Sequence, residues 1–436
     1  KMSYALWIFL FISWTVIIDA SRFGRRRLVY PRVIEARSYG DQLTLFIDED
    51  TTLNLQPADV FPEAFLLQYE KGGTPVKQYM NGNELNRMVY HDTDQRAAVS
   101  LERDNGLRVH GIIRDSLRIR PVSITGRSSA GRIAHEMFGD EEHFSNTRRD
   151  YFAAKPLQPA QLINERNIQV PNTVRPEVLM MVDTDHHKKR NKKLTAVLYC
   201  GVLMACVNIR YFSMTSPELK VKLSSVKIMF KSLTRKLYKF IQYSSTSYLD
   251  VNATIFKLKE EIQLTSYRSY DAVLMLTSKK LANIKKGILD TTVAGYAFFA
   301  AICTAQRVGI VEDNGFSLQG VNSIAHELGH LLGCPHDGDD APSSLPNFPG
   351  AESCSGSDGF VMGAVFTGEN KTNLYRLSEC SKYIIRHTLR QSQFECLLTE
   401  MFGKGVGTKR LPGSFTTPDK TCEESLLAHK LSSWIS

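Results

Sequence analysis

The stretch SIAHELGHLLGCPHDG, residues 323–338, decides the reading of this 436-residue chain. An α-helix turns once in about 3.6 residues, so His326 and His330, four apart, point the same way and their imidazoles can meet one ion. Val321, Ala325, Leu328 and Leu332 form a separate apolar stripe suited to packing on a core. Glu327 projects roughly 100° round from His326 and borders the histidine face without being a third ligand. Gly333 readily takes the left-handed conformation found past helix ends, so the chain turns there and brings His336 back toward the pair. Three neutral nitrogens, an open fourth position and an adjacent carboxylate are the layout of a catalytic zinc site. The ion acidifies a water and Glu327 accepts its proton. A bare HExxH also occurs in helices that hold no metal, but the full HExxHxxGxxH spacing is far more specific and points to one catalytic Zn(2+). Nothing in the sequence supports calcium as a second ion.

The rest of the chain sets the context. Its 43% hydrophobic and 23% charged residues are ordinary for globular protein, and its length suits two or three domains. The net charge of +9 is moderate. The densest basic run, HHKKRNKK at 186–193, reads as a solvated loop or helix start, so no nucleic-acid partner is expected. Near the N-terminus, Met2 reads as the start. YALWIFLFISWTVII is then a short apolar run ending near the small residue Ala20, which fits a signal peptide over 1–20 better than a membrane span. Removal of that segment would leave a secreted, extracellular protein with no stable membrane insertion. The cysteines agree with export: none precedes Cys200, and Cys303, Cys334, Cys354, Cys380 and Cys396 lie around and beyond the histidine motif. Asn252-Ala-Thr and Asn370-Lys-Thr are glycosylation candidates.

Short alternating stretches such as QLTLFIDE and LRVHGIIRDSLRIRPV, separated by turn residues, make the region from 21 to about 150 β-rich. A polar, loop-like region follows, in which Arg148 and Arg149 are either a processing site or two exposed arginines. From about 175 the texture becomes α/β: PEVLMMVD and DAVLMLTS read as buried strands, and ELKVKLSSVKIMF as a half-buried one. The apolar segment 194–209 reads as a buried helix rather than a membrane span, because polar residues interrupt or border it. Cys200 and Cys206, six apart on that helix, face different ways and cannot easily bond to each other. GKGVGTK at 403–409 lacks the strand and spacing of a phosphate loop and reads as a linker.

HELGHLLGCPHD followed by DGFVMGAV resembles the metzincin zinc endopeptidases, in which a methionine turn lies beneath the metal. GYAFFAAICTAQRVGIVEDNG ahead of the motif and RLSECSKYIIRHTLRQSQFECLL behind it are similar to the reprolysin (adamalysin, ADAM-like) branch. YPRVIEARSYGDQLTLFID and VHGIIRDSLRIRPV resemble that branch's propeptide. Together with a signal and a short tail, the chain looks most like the reprolysin-like metalloproteases of tick saliva. The resemblance implies an α/β metzincin-type catalytic domain, a mixed twisted sheet with long helices, at 171–400. A β-rich propeptide at 21–170 would precede it, and a tail at 401–436 resembles the start of a cysteine-rich domain. It implies His326, His330 and His336 as zinc ligands, Glu327 as general base, Met362 as the turn methionine and Asp337 as structural support. It also implies a Cys303–Cys396 disulfide, a second pair Cys354 and Cys380, and a substrate-binding edge strand around Gly295 to Ala301. Extracellular proteins, matrix or clotting proteins such as fibrinogen and fibronectin among them, are the substrates it implies.

There are departures. No cysteine lies in the propeptide region, so a thiolate cannot hold the enzyme latent. Packing of segments 28–121 across the cleft, relieved by a cut between Arg127 and Arg175, is expected instead. Ala300 and Ala301 replace a usual glycine pair, Cys334 has no assigned partner, and the tail offers only Cys422, as a natural short form or a truncated translation. A secreted non-catalytic adhesion protein on the same scaffold is the alternative. It calls for more cysteines beyond Cys396 and does not need Glu327. The sequence gives no sign of oligomeric state.

Overall fold

In the computed structural model the described residues are 26–34, 42–114, 116–122, 128, 131–139, 148–149, 169–189, 192–341, 345, 348–366 and 373–401. The segment 1–20 expected to be a signal, Asn370, residues 403–409 and Cys422 lie outside them.

The site-bearing sheet takes its strands from two separate parts of the chain, 64–81 and 177–312. They are β1 (Ala64–Lys71), β2 (Thr74–Asn81), β3 (Glu177–Val182), β4 (Lys222–Ile228), β5 (Ala272–Thr277), β6 (Gly295–Ala297) and β7 (Val308–Glu312). Their order across the sheet is β6-β7-β5-β3-β4-β1-β2. The inner strands β7, β5, β3, β4 and β1 run parallel, and the two edge strands β6 and β2 run antiparallel. Inner parallel strands are covered on both faces, which is why β3 and β5 are continuous aliphatic runs. Four helices matter to the site: α1 (Lys193–Tyr211), α2 (Val251–Glu261), α3 (Val321–Leu331) and α4 (Glu379–Leu389). α1 crosses from β3 to β4, and α2 crosses back from β4 to β5. With right-handed crossovers the two helices fall on opposite faces, and α3 packs beside α1.

The remaining N-terminal strands form a nine-stranded sheet, every neighbouring pair antiparallel, from Arg27–Val29 through His135–Gly139 and Leu117–Pro121 to Arg32–Ile34 at the far edge. Its inner strands Val89–Asp92, Ala97–Glu102 and Arg108–Ile113 lie against α1. The β-rich reading of this region therefore stands, as does the buried, non-spanning reading of α1, whose 19 residues are long and apolar enough to cross a membrane by composition alone.

Four expectations need correction. β4 is buried at every position but Lys227 rather than half-buried, because it lies inside the sheet between β3 and β1 with α1 packed on it. Segments 28–121 do not lie across the cleft: the β1–β2 hairpin occupies the sheet edge opposite β6, and the nine-stranded sheet sits on α1. The stretch 127–175 is not loop throughout, since His135–Gly139 belongs to the nine-stranded sheet and Thr173–Val174 pairs with Glu218–Leu219. The edge strand β6 ends at Ala297 instead of running to Ala301. Beyond it the Ala300 and Ile302 amides donate to the carbonyls of His330 and Leu331, at 2.8 and 3.0 Å, which pulls the chain off the sheet onto the end of α3. Ala300 there takes a positive φ of 46°, where the glycine usual in the family would be unstrained.

Candidate active site

α3 is buried on every side: His326, Glu327 and His330 serve the site, while Asn322 accepts from Arg210 on α1. It stops as its sequence requires. Gly333 has φ of 93°, its amide donates to the His330 carbonyl, and the Cys334 amide donates to the Gly329 carbonyl, closing a Schellman turn. A side chain at Gly333 would also run into the Phe348 ring. The turn delivers His336 to the other two histidines: ring centroids lie 4.6 Å apart for His326 and His330, 4.9 Å for His330 and His336, and 5.2 Å for His326 and His336. Candidate ligand atoms of the three are within 4.8 Å of one another.

Each imidazole is oriented through Nδ1. That atom bonds the Val361 carbonyl in His326 (2.6 Å) and the Cys334 carbonyl in His330 (2.8 Å), and meets Asp339 Oδ2 at 3.3 Å in His336. Holding Nδ1 sets the tautomer and leaves Nε2 as the donor toward a shared ion. Three buried, oriented imidazole donors fit a zinc ion, which prefers nitrogen at such sites. Another cluster, Asp271 with Cys303 and Cys396, offers no thiolate because the two cysteines are bonded to each other.

Glu327 is 1% exposed. Its carboxylate lies against the backbone of Gly295 on β6, so closely that a Cβ at that position would collide with Oε1. The carboxylate therefore sits between the histidine helix and the edge strand. Met362 is fully buried beneath the helix, with its sulfur where a side chain on Gly329 would have to go. Asp337 ties the turn to α4 and to the methionine: its Oδ1 accepts from Ser378 Oγ at 2.6 Å, its amide donates to the Met362 carbonyl, and burial raises its pKa. Cys334 is a buried thiol whose pKa burial pushes up.

Cys303 is disulfide-bonded to Cys396 and Cys354 to Cys380, with Cα separations of 5.9 and 6.1 Å. Asn252 is exposed in the first turn of α2. Sequence reasoning missed Asp339, although an acidic residue three positions after a histidine ligand is a readable signal. It also missed Asp313, which anchors the loop leading into α3. Burial alone would raise the pKa of this carboxyl, but bonds from His186, Tyr199 and the Gly320 amide hold it well below the usual range.

Residues 203–375 match the family model Reprolysin_5, Metallo-peptidase family M12. That stretch is a reprolysin-type metzincin domain, and the chain is a metalloendopeptidase. It is 26% identical to venom metalloproteinase BumaMPs1 of Olivierus martensii, across 92% of this chain and 99% of that one. Venom metalloproteinase antarease TserMP_A of Tityus serrulatus is 25% identical with the same two coverages. A "disintegrin and metalloproteinase with thrombospondin motifs like" protein of Bombyx mori is 26% identical over 61% of this chain and 39% of its own. Two of these three relatives are venom proteins and the third is from Bombyx mori, so the likeness to tick saliva proteases is a finer statement than they carry.

Proposed function

We propose that this chain is a secreted zinc endopeptidase, made as a zymogen, that hydrolyses extracellular proteins. The observation that carries the reading is one buried constellation: three oriented imidazoles, with Glu327 between them and an edge strand. His326, His330 and His336 would hold the ion. Zinc, when bound, supplies Lewis acidity toward the scissile carbonyl and the attacking water. Glu327 takes a proton from that water and returns it to the leaving amine, a role that needs a carboxylate near the reacting atoms. Among the described residues β6 is the edge strand of its sheet, so an extended peptide can add as a further strand beside Glu327. Secretion is supported by the apolar N-terminal segment, the two disulfides and the venom relatives. Matrix or clotting proteins such as fibrinogen and fibronectin are the substrates we propose.

Latency is supported by a contact near the methionine turn. Arg148–Arg149 pair antiparallel with Val365–Phe366, three residues beyond Met362, a contact that supports latency by packing rather than through a thiol. Limited proteolysis between Gly139 and Arg175 should therefore raise peptide hydrolysis. An organomercurial, which activates enzymes latched by a cysteine on the metal, should leave the intact precursor silent. Activation of uncut precursor by the organomercurial would rule this latency mechanism out.

A further inference from the structure

Helix α1 has no polar stripe between Ala196 and Val207, where every residue is buried. A helix on the outside of a domain keeps a solvated face, so one that is apolar all round needs cover on all sides. Here β4 and α3 cover one side and the strands Val89–Asp92, Ala97–Glu102 and Arg108–Ile113 cover the other. Phe61 fills the notch at Gly201, where an added Cβ would stand 2.5 Å from its ring and 3.2 Å from Val89. Phe61, Phe65, Leu67, Val89 and Ile112 belong to the same continuous core as β3, α1 and α3.

The sheet edge repeats the pattern. Leu66, Leu67 and Gln68 pair with Ser225, Val226 and Lys227. The Gln68 amide donates to Ser225 Oγ and the Tyr270 hydroxyl, at 3.1 and 3.3 Å, and Ser225 Oγ donates to the Leu66 carbonyl at 2.7 Å. The Leu223 amide donates to the Val60 carbonyl at 2.8 Å, and the Lys222 ammonium reaches both the carbonyl and the carboxylate of Asp59 at 2.7 Å. Without the N-terminal segment, β4 would become an open parallel edge and α1 a bare apolar face, two features that drive aggregation.

We propose that cleavage after Gly139 does not release the N-terminal segment. Residues from Arg27 to Gly139 stay on the α1 face and the β4 edge as a second, non-covalent chain of the processed enzyme. Cutting then frees the stretch around Arg148–Arg149 from the site while the body of the segment remains. This rests on the zymogen reading above for the existence of a cut, but not for what holds the pieces together.

The test uses the full chain with a site-specific protease sequence inserted after Leu157. After complete cleavage, both fragments should co-elute in native buffer at the volume of uncut precursor, show their summed mass by native mass spectrometry, and separate only in denaturant. An N-terminal fragment eluting alone from native buffer, whatever the state of its partner, overturns the proposal. Gln68→Ala removes the side-chain bonds at the sheet edge and should let the cut pieces separate at about tenfold higher concentration than wild type. Unchanged retention in that variant would overturn the edge strand as the seat of binding. Elution reads retention whether or not the cut protein is active, so a failure of the zymogen reading shows in activity and a failure of this inference shows in mass.

Discussion

Replacing Glu327 by glutamine leaves zinc content unchanged and lowers peptide hydrolysis at least about 100-fold. The amide has the same shape and can keep the carboxylate's place against Gly295, and the three histidines and the groups bonded to their Nδ1 atoms are untouched. What disappears is the base. Positioned general bases contribute about 10²- to 10⁴-fold, so the loss should appear in kcat while metal analysis stays at the wild-type value. Near-normal turnover in Glu327→Gln would remove this residue from the mechanism.

The second large effect concerns the Cys303–Cys396 disulfide. Its cysteines are 93 residues apart in sequence, and the loop it closes contains α3, the three histidines and Met362. In the loop-entropy model a cross-link of that span stabilises the folded state by about 4–5 kcal/mol, a large part of the about 5–15 kcal/mol of a typical domain. Replacing both cysteines by serine avoids leaving a lone thiol and should lower unfolding stability by roughly that amount in a denaturant titration. A loss under about 1 kcal/mol would mean that the unfolded chain is not restrained in the way the model requires. Peptide mapping of unreduced protein should find the two cysteines joined.

The site was legible because its information is local. Two histidines four apart, a glycine at the helix end and a third histidine beyond it specify helix, turn and convergence within eleven residues. The carbonyls of Val361 and Cys334 that orient His326 and His330 could not be read, since every residue carries a carbonyl and only the fold selects which one is near. Asp313 was hidden for a similar reason: its partners His186 and Tyr199 lie more than 100 positions away. Strand existence was legible in the aliphatic runs of β3 and β5, but strand pairing was not. The contact of Leu66 with Ser225 spans most of the distance between two regions that differ in texture, so the natural reading was two separate modules. The unbroken apolarity of α1 carries one clue to this pairing, because a helix buried all round requires cover on its outer side as well.

Zinc held by His326, His330 and His336 is what hydrolysis depends on. Zinc content of protein cut between Gly139 and Arg175 should be measured together with its cleavage of a peptide library, before and after a chelator and after zinc is restored. About one zinc per chain is expected, with hydrolysis lost on chelation and regained with zinc. Undiminished hydrolysis by metal-free protein would contradict that dependence, as would full zinc content after all three histidines are replaced by alanine.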